Sequence, residues 1–376
     1  MNLFFDIEMI NMNPSLFTKI NKFLRSYRPA FSSDNNCTYY HENNYLEISF
    51  DNGQCTNDLY GLCTMCDYGI SSIKTNVLDF INDMKKIYYS FPEEITSLML
   101  CTNGSFLDDR QLPEEFQRKI LAEANKLPCK TILLETHYNT VTKKKLHLIS
   151  NILVSKKVKI EMGLETTSPL YQNYILNKPI NLSKFEDTIL QILKYDFTPS
   201  VNILVGLPLL NIKEQINDAV QSIEWCIRRK TEIVLFPLNI KPYTLVFHLY
   251  QKKIIQPISQ WLLIYVLTLI DERYLDRIDL AYWGNRKDSS DDEKIIFPQC
   301  CTICENEIIN FYNNYSRKKT WIERKNLLNE IIMSTKCQCF NNIKKQAENT
   351  QNDNNIYDRL SFVYKYLESE FKGDLY

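Results

Sequence analysis

The chain of 376 residues is 44 % hydrophobic and 12 % aromatic, which excludes a disordered protein and leaves room for one large α/β domain with a smaller appendage. Its 44 basic and 45 acidic residues leave a net charge of −1, so no global field gathers polyanions or anionic lipid, and a nucleic-acid partner is disfavoured, a local basic patch aside. The first eight residues carry acids where a signal peptide carries lysine or arginine, and the longest apolar run, 261–270, is too short for a hydrocarbon layer of about 30 Å; a cytoplasmic protein with no membrane partner is expected.

Residues 1–44 read as a helical lead-in, with Leu16, Ile20, Phe23 and Leu24 on one face, followed by a polar loop. From residue 45 onward, short β-favouring runs alternate with amphipathic helical stretches, the pattern of β/α units around a parallel sheet. Strands are expected at 45–50, 95–101, 130–135, 158–164, 200–205 and 233–238. Between them Val77, Phe80, Ile81, Met84 and Ile87 recur at helical spacing, as do Phe185, Ile189, Ile192 and Leu193, so each connection lays an apolar stripe on the sheet. The expected fold is therefore α/β, a partial (β/α)6 barrel over 45–283. The charged stretch 284–293 ends it, and 284–376 reads as a Cys-rich, mainly helical extension. Within that extension an Asn/Gln-rich linker over 341–355 precedes a last helix with Leu360, Val363, Tyr364 and Leu367 on one side.

Twelve cysteines without an export signal point to reduced thiols, and their grouping carries the chemistry. Cys55, Cys63 and Cys66 follow the first expected strand, in a βα loop at the face where such barrels place their sites. Two residues separate Cys63 from Cys66, so both thiolates reach one centre, and the seven-residue arm lets Cys55 approach from the other side. No fourth ligand lies in the loop. A 4Fe–4S cluster held by three thiolates keeps one iron open for the amine and carboxylate of S-adenosylmethionine (SAM); a zinc ion with a remote fourth ligand is the alternative.

These residues, with the strand ends downstream, resemble the radical SAM superfamily, most closely the branch of the elongator catalytic subunit and the archaeosine enzyme. The Cys-x7-Cys-Thr-Met-Cys loop carries the resemblance, with Met65 where an aromatic residue usually precedes the third cysteine and Tyr68 offering its backbone to adenine. The run Glu161-Met-Gly-Leu-Glu165 resembles the fourth-strand motif and implies that Glu165 bonds the SAM ribose. The run Ser200-Val-Asn202-Ile-Leu-Val-Gly206 resembles the fifth-strand segment, placing Asn202 near that ribose and Gly206 at a close backbone approach. The second strand ends in Cys101-Thr-Asn103-Gly104 rather than Gly-Gly-Glu, leaving Asn103 and Glu135 as candidates for the methionyl amine. The resemblance also implies an electron donor such as flavodoxin or ferredoxin. His137 has no second motif residue and reads as a bystander.

Cys300, Cys301 and Cys304, with Cys337 and Cys339, form a second group outside the barrel. A second iron–sulfur cluster, a zinc ion stapling the tail, and thiols that capture a thiophilic substrate all fit it. The Cys-Cys-x-x-Cys tail, with Gln299 before it, resembles the RCCLKC-tail radical SAM proteins, which implies 3-amino-3-carboxypropyl transfer to an acceptor such as arsenite, with Cys300, Cys301 and Cys304 catalytic. The leading expectation is SAM cleavage acting on a small-molecule substrate. A tRNA-modifying enzyme and a non-catalytic, zinc-stapled binding protein are the alternatives.

Overall fold

Alternating burial along several of the strands gives the sheet two unlike faces. In Tyr45–Phe50 the side chains of Leu46, Ile48 and Phe50 are buried, while Tyr45, Glu47 and Ser49 between them are only partly so. The computed structural model describes residues 12–28, 37–50, 55–67, 76–91, 93–102, 104–281, 295–349 and 355–375. Its eight strands run in chain order through one sheet: β1 (Cys37–Glu42), β2 (Tyr45–Phe50), β3 (Ser97–Thr102), β4 (Thr131–Glu135), β5 (Lys157–Glu165), β6 (Thr198–Val205), β7 (Glu232–Pro237) and β8 (Ile278–Leu280). β1 pairs antiparallel with β2, and every later pair is parallel, so the sheet curls into a half-barrel.

The registers fix what each face carries. Leu98 and Leu100, Ile132 and Leu134, Ile160 and Met162, Val201 and Ile203 line the outer face and bury against the connecting helices. Glu47, Met99, Leu133, Glu135, Lys159, Glu161 and Asn202 share the inner face, and Glu135 sits directly across from Glu161. The outer layer is a continuous apolar core, whereas the inner face is polar and carries several carboxylates.

All six expected strands are present, with ends shifted by one or two residues. Two elements were not expected. β1 forms in the stretch read as a polar loop, because a tight hairpin lets it cover the free edge of β2. β8 is three residues long and too short for periodicity to reveal. Part of the expected 341–355 linker is also helical: Cys339–Glu348 forms a helix whose Ile343 is buried and whose neighbour Phe340 packs edge-on to Trp261, with ring centres 5.6 Å apart. The 284–293 stretch lies outside the described residues.

The helices after β8 dock on the barrel through buried contacts. Arg324, 3 % exposed, donates to the carbonyls of Leu275 (2.7 Å), Ile278 (2.5 Å) and Lys318 (3.0 Å) and pairs with Asp279 at 2.6 Å. The last helix, Ile356–Glu370, returns to the N-terminal helix Ser15–Ser26, where Tyr364 stacks on Phe17 at 4.3 Å. No helix among the described residues is long and apolar enough to cross a membrane.

Candidate functional site

The loop after β2 is shaped by neighbours distant in sequence. Cys55 caps a single helical turn, Thr56–Leu59, and the chain then reverses at Gly61 with φ +76. A Cβ at Gly61 would lie 2.4 Å from the Thr18 carbonyl oxygen, so only glycine lets the N-terminal helix come this close. The amides of Asn21 and Asn177 both donate to the Gly61 carbonyl, at 2.9 and 3.1 Å. Cys63 N–H donates to Asn177 O and Thr64 N–H to Leu176 O, so the segment after β5 holds the other side of the loop.

From the N-terminal helix, Arg25 reaches under the loop. Its guanidinium donates to the carbonyls of Asp58 (2.9 Å), Leu62 (2.7 Å), Cys63 (2.8 Å) and Cys66 (3.0 Å). Asp58, itself buried, pairs with Arg25 and Arg28 at 3.0 and 3.1 Å.

The structure thus brings Cys55, Cys63 and Cys66 into one loop, with Met65 half-buried beside them. Burial pushes the Cys63 thiol up to about 12 and raises Cys66 and Cys55 as well, while Lys178 opposes the rise at Cys63 and Lys241 at Cys66. Each of Cys63 and Cys66 feels Cys55 as a like charge, so three thiolates here demand cations, and the chain supplies Arg25, Lys178 and Lys241. Such a donor set, buried and charge-compensated, fits an iron–sulfur cluster.

Lys178 lies between the loop and the strand ends. Its ammonium donates to Glu165 at 2.6 Å and to the Gly163 carbonyl at 3.1 Å. Burial disfavours its charge, but Glu165 and the cysteines hold it above its ordinary value. His137 places Nε2 3.7 Å from Cys55 Sγ, and burial, with Lys178, lowers the imidazole to about 4, so it is neutral at physiological pH. Between them opens a small cleft of about 50 Å³ lined by Asn57, His137, Tyr138, Asn139, Gly163 and Lys178.

The remaining expected SAM contacts line the inner face beneath. Glu165 ends β5 at a bulge with φ 67 and is engaged by Lys178. Burial and the adjacent Glu161 raise Glu135 to about 8. Burial raises Glu161 to about 7 against a hydrogen bond from Asn202, whose own Oδ1 is buried without a partner. Gly206 has φ +90, and its close approach is to Ile258, which a Cβ would meet at 2.6 Å. Tyr68 and Asn103 lie outside the described residues. Reasoning from sequence missed Arg25, Lys178 and Lys241 and set His137 aside; the one local signal was a lysine in the otherwise apolar run Tyr174-Ile-Leu-Asn-Lys178-Pro-Ile180.

In the tail, the sulfurs of Cys301, Cys304, Cys337 and Cys339 all lie within 4.8 Å of one another. Zinc–sulfur bonds of about 2.3 Å put tetrahedral thiolates about 3.8 Å apart, so this foursome suits a single ion, whereas the corners of a cubane stand wider. The Trp261 indole N–H donates to Cys304 Sγ at 3.2 Å, an outer contact of the kind that orients a metal ligand. Cys300 is not among the four.

No family model matches the chain. Archaeosine synthase subunit beta of Methanosarcina acetivorans is 25 % identical over 280 residues, covering 72 % of this chain and 78 % of that protein. Among solved structures, the chain is similar to the archaeal Elp3 of Methanocaldococcus infernus (TM-score 0.48, 8 % identity, 74 % of this chain and 65 % of that one). It is also similar to the radical S-adenosylmethionine methyltransferase TsrM of Kitasatospora setae with cobalamin and a 4Fe–4S cluster bound (TM-score 0.45, 8 % identity, 76 % and 61 %). The chain spans less than two thirds of either solved chain.

Proposed function

We propose that this chain is a radical SAM enzyme whose Cys55, Cys63 and Cys66 hold a 4Fe–4S cluster. The observation that carries the reading is three thiols in one loop, Cys55 and Cys63 buried and Cys66 half-buried, at the C-terminal mouth of a parallel half-barrel, with Arg25, Lys178 and Lys241 beside them. When bound, a cluster with one open iron supplies the electron for homolytic cleavage of a C–S bond of SAM, and an external donor such as flavodoxin or ferredoxin replenishes it. The chain's own residues bind and orient. Glu135, with Asn202 beside Glu161, offers acceptors to the methionyl amine and the ribose. Glu165 and Lys178 present a paired carboxylate and ammonium at the cleft, so either can turn to the cosubstrate.

Anaerobic reconstitution of the wild type and of Cys55→Ala, Cys63→Ala and Cys66→Ala tests this. A brown protein with about four irons per chain, lost in each variant, supports it. Variants that keep full iron and SAM turnover overturn it. The nucleoside released then sorts the chemistry: 5′-deoxyadenosine marks the adenosyl radical, and 5′-methylthioadenosine marks aminocarboxypropyl transfer.

For the substrate, similarity to archaeosine synthase subunit beta supports modification of a tRNA nucleoside over a free small molecule, and salt-sensitive tRNA binding tests it. The tail supports a structural role. Cys301 and Cys304 share a closed foursome with Cys337 and Cys339, best filled by one zinc ion, and a site with four thiolates has no open position for arsenite. Metal analysis finding about one zinc per chain beyond the iron supports the staple.

A further inference from the structure

We propose that Arg25 is the positioning residue of the cluster loop, holding the backbone around Cys63 and Cys66 in its ligating shape from a helix that carries no ligand. The inference rests on the cluster reading above. Arg25 is nearly buried, with 7 % of its side-chain surface exposed. Its planar fork meets four carbonyls, two of them belonging to Cys63 and Cys66. Two of those carbonyls also accept one backbone donor each, Asp58 from Gly61 N–H (2.9 Å) and Cys63 from Cys66 N–H (3.2 Å), and Arg25 adds a second; Cys63 is itself at φ 59. Gathering them on one side turns peptide N–H groups the other way. The N–H groups of the same peptides are taken up on the far side: Leu59 N–H donates to Cys55 O, Cys63 N–H to Asn177 O and Thr64 N–H to Leu176 O.

Three features make this a built clamp rather than a chance contact. Asp58 is buried between the two arginines, ion-paired with Arg25 and held by two hydrogen bonds from Arg28. Gly61 leaves no room for a side chain between helix and loop, and Asn21 bonds its carbonyl one turn before Arg25. The helix cannot drift, because Phe17 stacks on Tyr364 and Phe23 meets Phe371 at 5.6 Å. A lysine in this place keeps the charge and can meet the Leu62, Cys63 and Cys66 carbonyls that one guanidinium nitrogen gathers, but it cannot at the same time hold the Asp58 carbonyl reached by the other.

The test uses the full chain, purified and reconstituted anaerobically as wild type, Arg25→Lys, Arg25→Met and Cys63→Ala. Iron content, the electron paramagnetic resonance spectrum of the reduced cluster with and without SAM, and the rate of iron loss to a chelator are read, with a thermal melt to report folding. Arg25→Lys is expected to fold, take up iron and lose it to chelator about 10- to 100-fold faster than wild type, with an altered spectrum. Arg25→Met is expected to load less iron still. Should Arg25→Met not fold, Arg25→Lys decides alone. An Arg25→Lys protein that matches wild type in chelation rate and spectrum overturns the clamp, because charge without the fork then suffices. A wild type that takes up no more iron than Cys63→Ala overturns the cluster reading itself, and the clamp with it.

Discussion

Asp218→Asn should make the protein more stable at alkaline pH and less so at acid pH. Asp218 lies on the helix Ile212–Arg228 and accepts the Thr166 hydroxyl at 2.5 Å, just beyond Glu165. Its second oxygen is buried without a partner among the described residues. Burial raises the carboxyl from its ordinary 3.8 to about 7, against the Thr166 hydrogen bond. The folded state therefore keeps a proton that the unfolded chain has lost. Below 3.8 both states are protonated and nothing is lost; between 3.8 and about 7 stability falls with rising pH; above about 7 the loss is complete. At about 1.4 kcal/mol per pH unit, the burden is about 2 kcal/mol at pH 5 and about 4 kcal/mol at pH 8. Asparagine cannot ionise and keeps the acceptor for Thr166, but it buries an unpaired NH2 at a cost of about 1–3 kcal/mol. Urea denaturation of both proteins at pH 5 and pH 8 should thus show their difference move by roughly 2–3 kcal/mol in favour of the variant. Glu135 and Glu161 also titrate upward, but they do so in both proteins and cancel. A difference that stays constant between the two pH values refutes the assignment of a retained proton to Asp218.

Gly206→Ala should destabilise the fold by about 2–3 kcal/mol in a urea melt, since its φ of +90 strains any side chain and the new Cβ meets Ile258 at 2.6 Å. Measured in an Ile258→Ala background, the same substitution should cost less, because the steric part is relieved and only the backbone strain remains. Arg324→Met should cost about 3 kcal/mol by the same measurement, because the Leu275 and Ile278 carbonyls lose their donor, while the half-exposed Asp279 adds little. Cys339→Ser should remove the zinc from the tail and leave the iron content unchanged, as metal analysis of the reconstituted protein would show; loss of both metals would instead join the two sites.

Much of the barrel was legible from local pattern. Short β-favouring runs alternating with helical spacing placed six strands, and the spacing of Cys55, Cys63 and Cys66 picked out the candidate ligands, because both signals are written within a few residues. Glu165 and Asn202 came instead from the resemblance of two short runs to known strand motifs, and they lie at the end of β5 and within β6. The linker expected over 341–355 shows the opposite case: its polar composition hid a helix whose Ile343 and Phe340 pack on elements far back in the chain.

What the amino-acid order determined alone is the sheet's apolar outer wall, its polar lumen and the three-thiol loop. Only the tertiary structure decided which groups compensate those thiols and which four tail cysteines meet. Arg25 lies 38 residues from Cys63, and His137 lies 82 from Cys55. Contacts over such separations have no period to betray them; they exist because chain closure and burial bring together side chains that must then satisfy one another's charge.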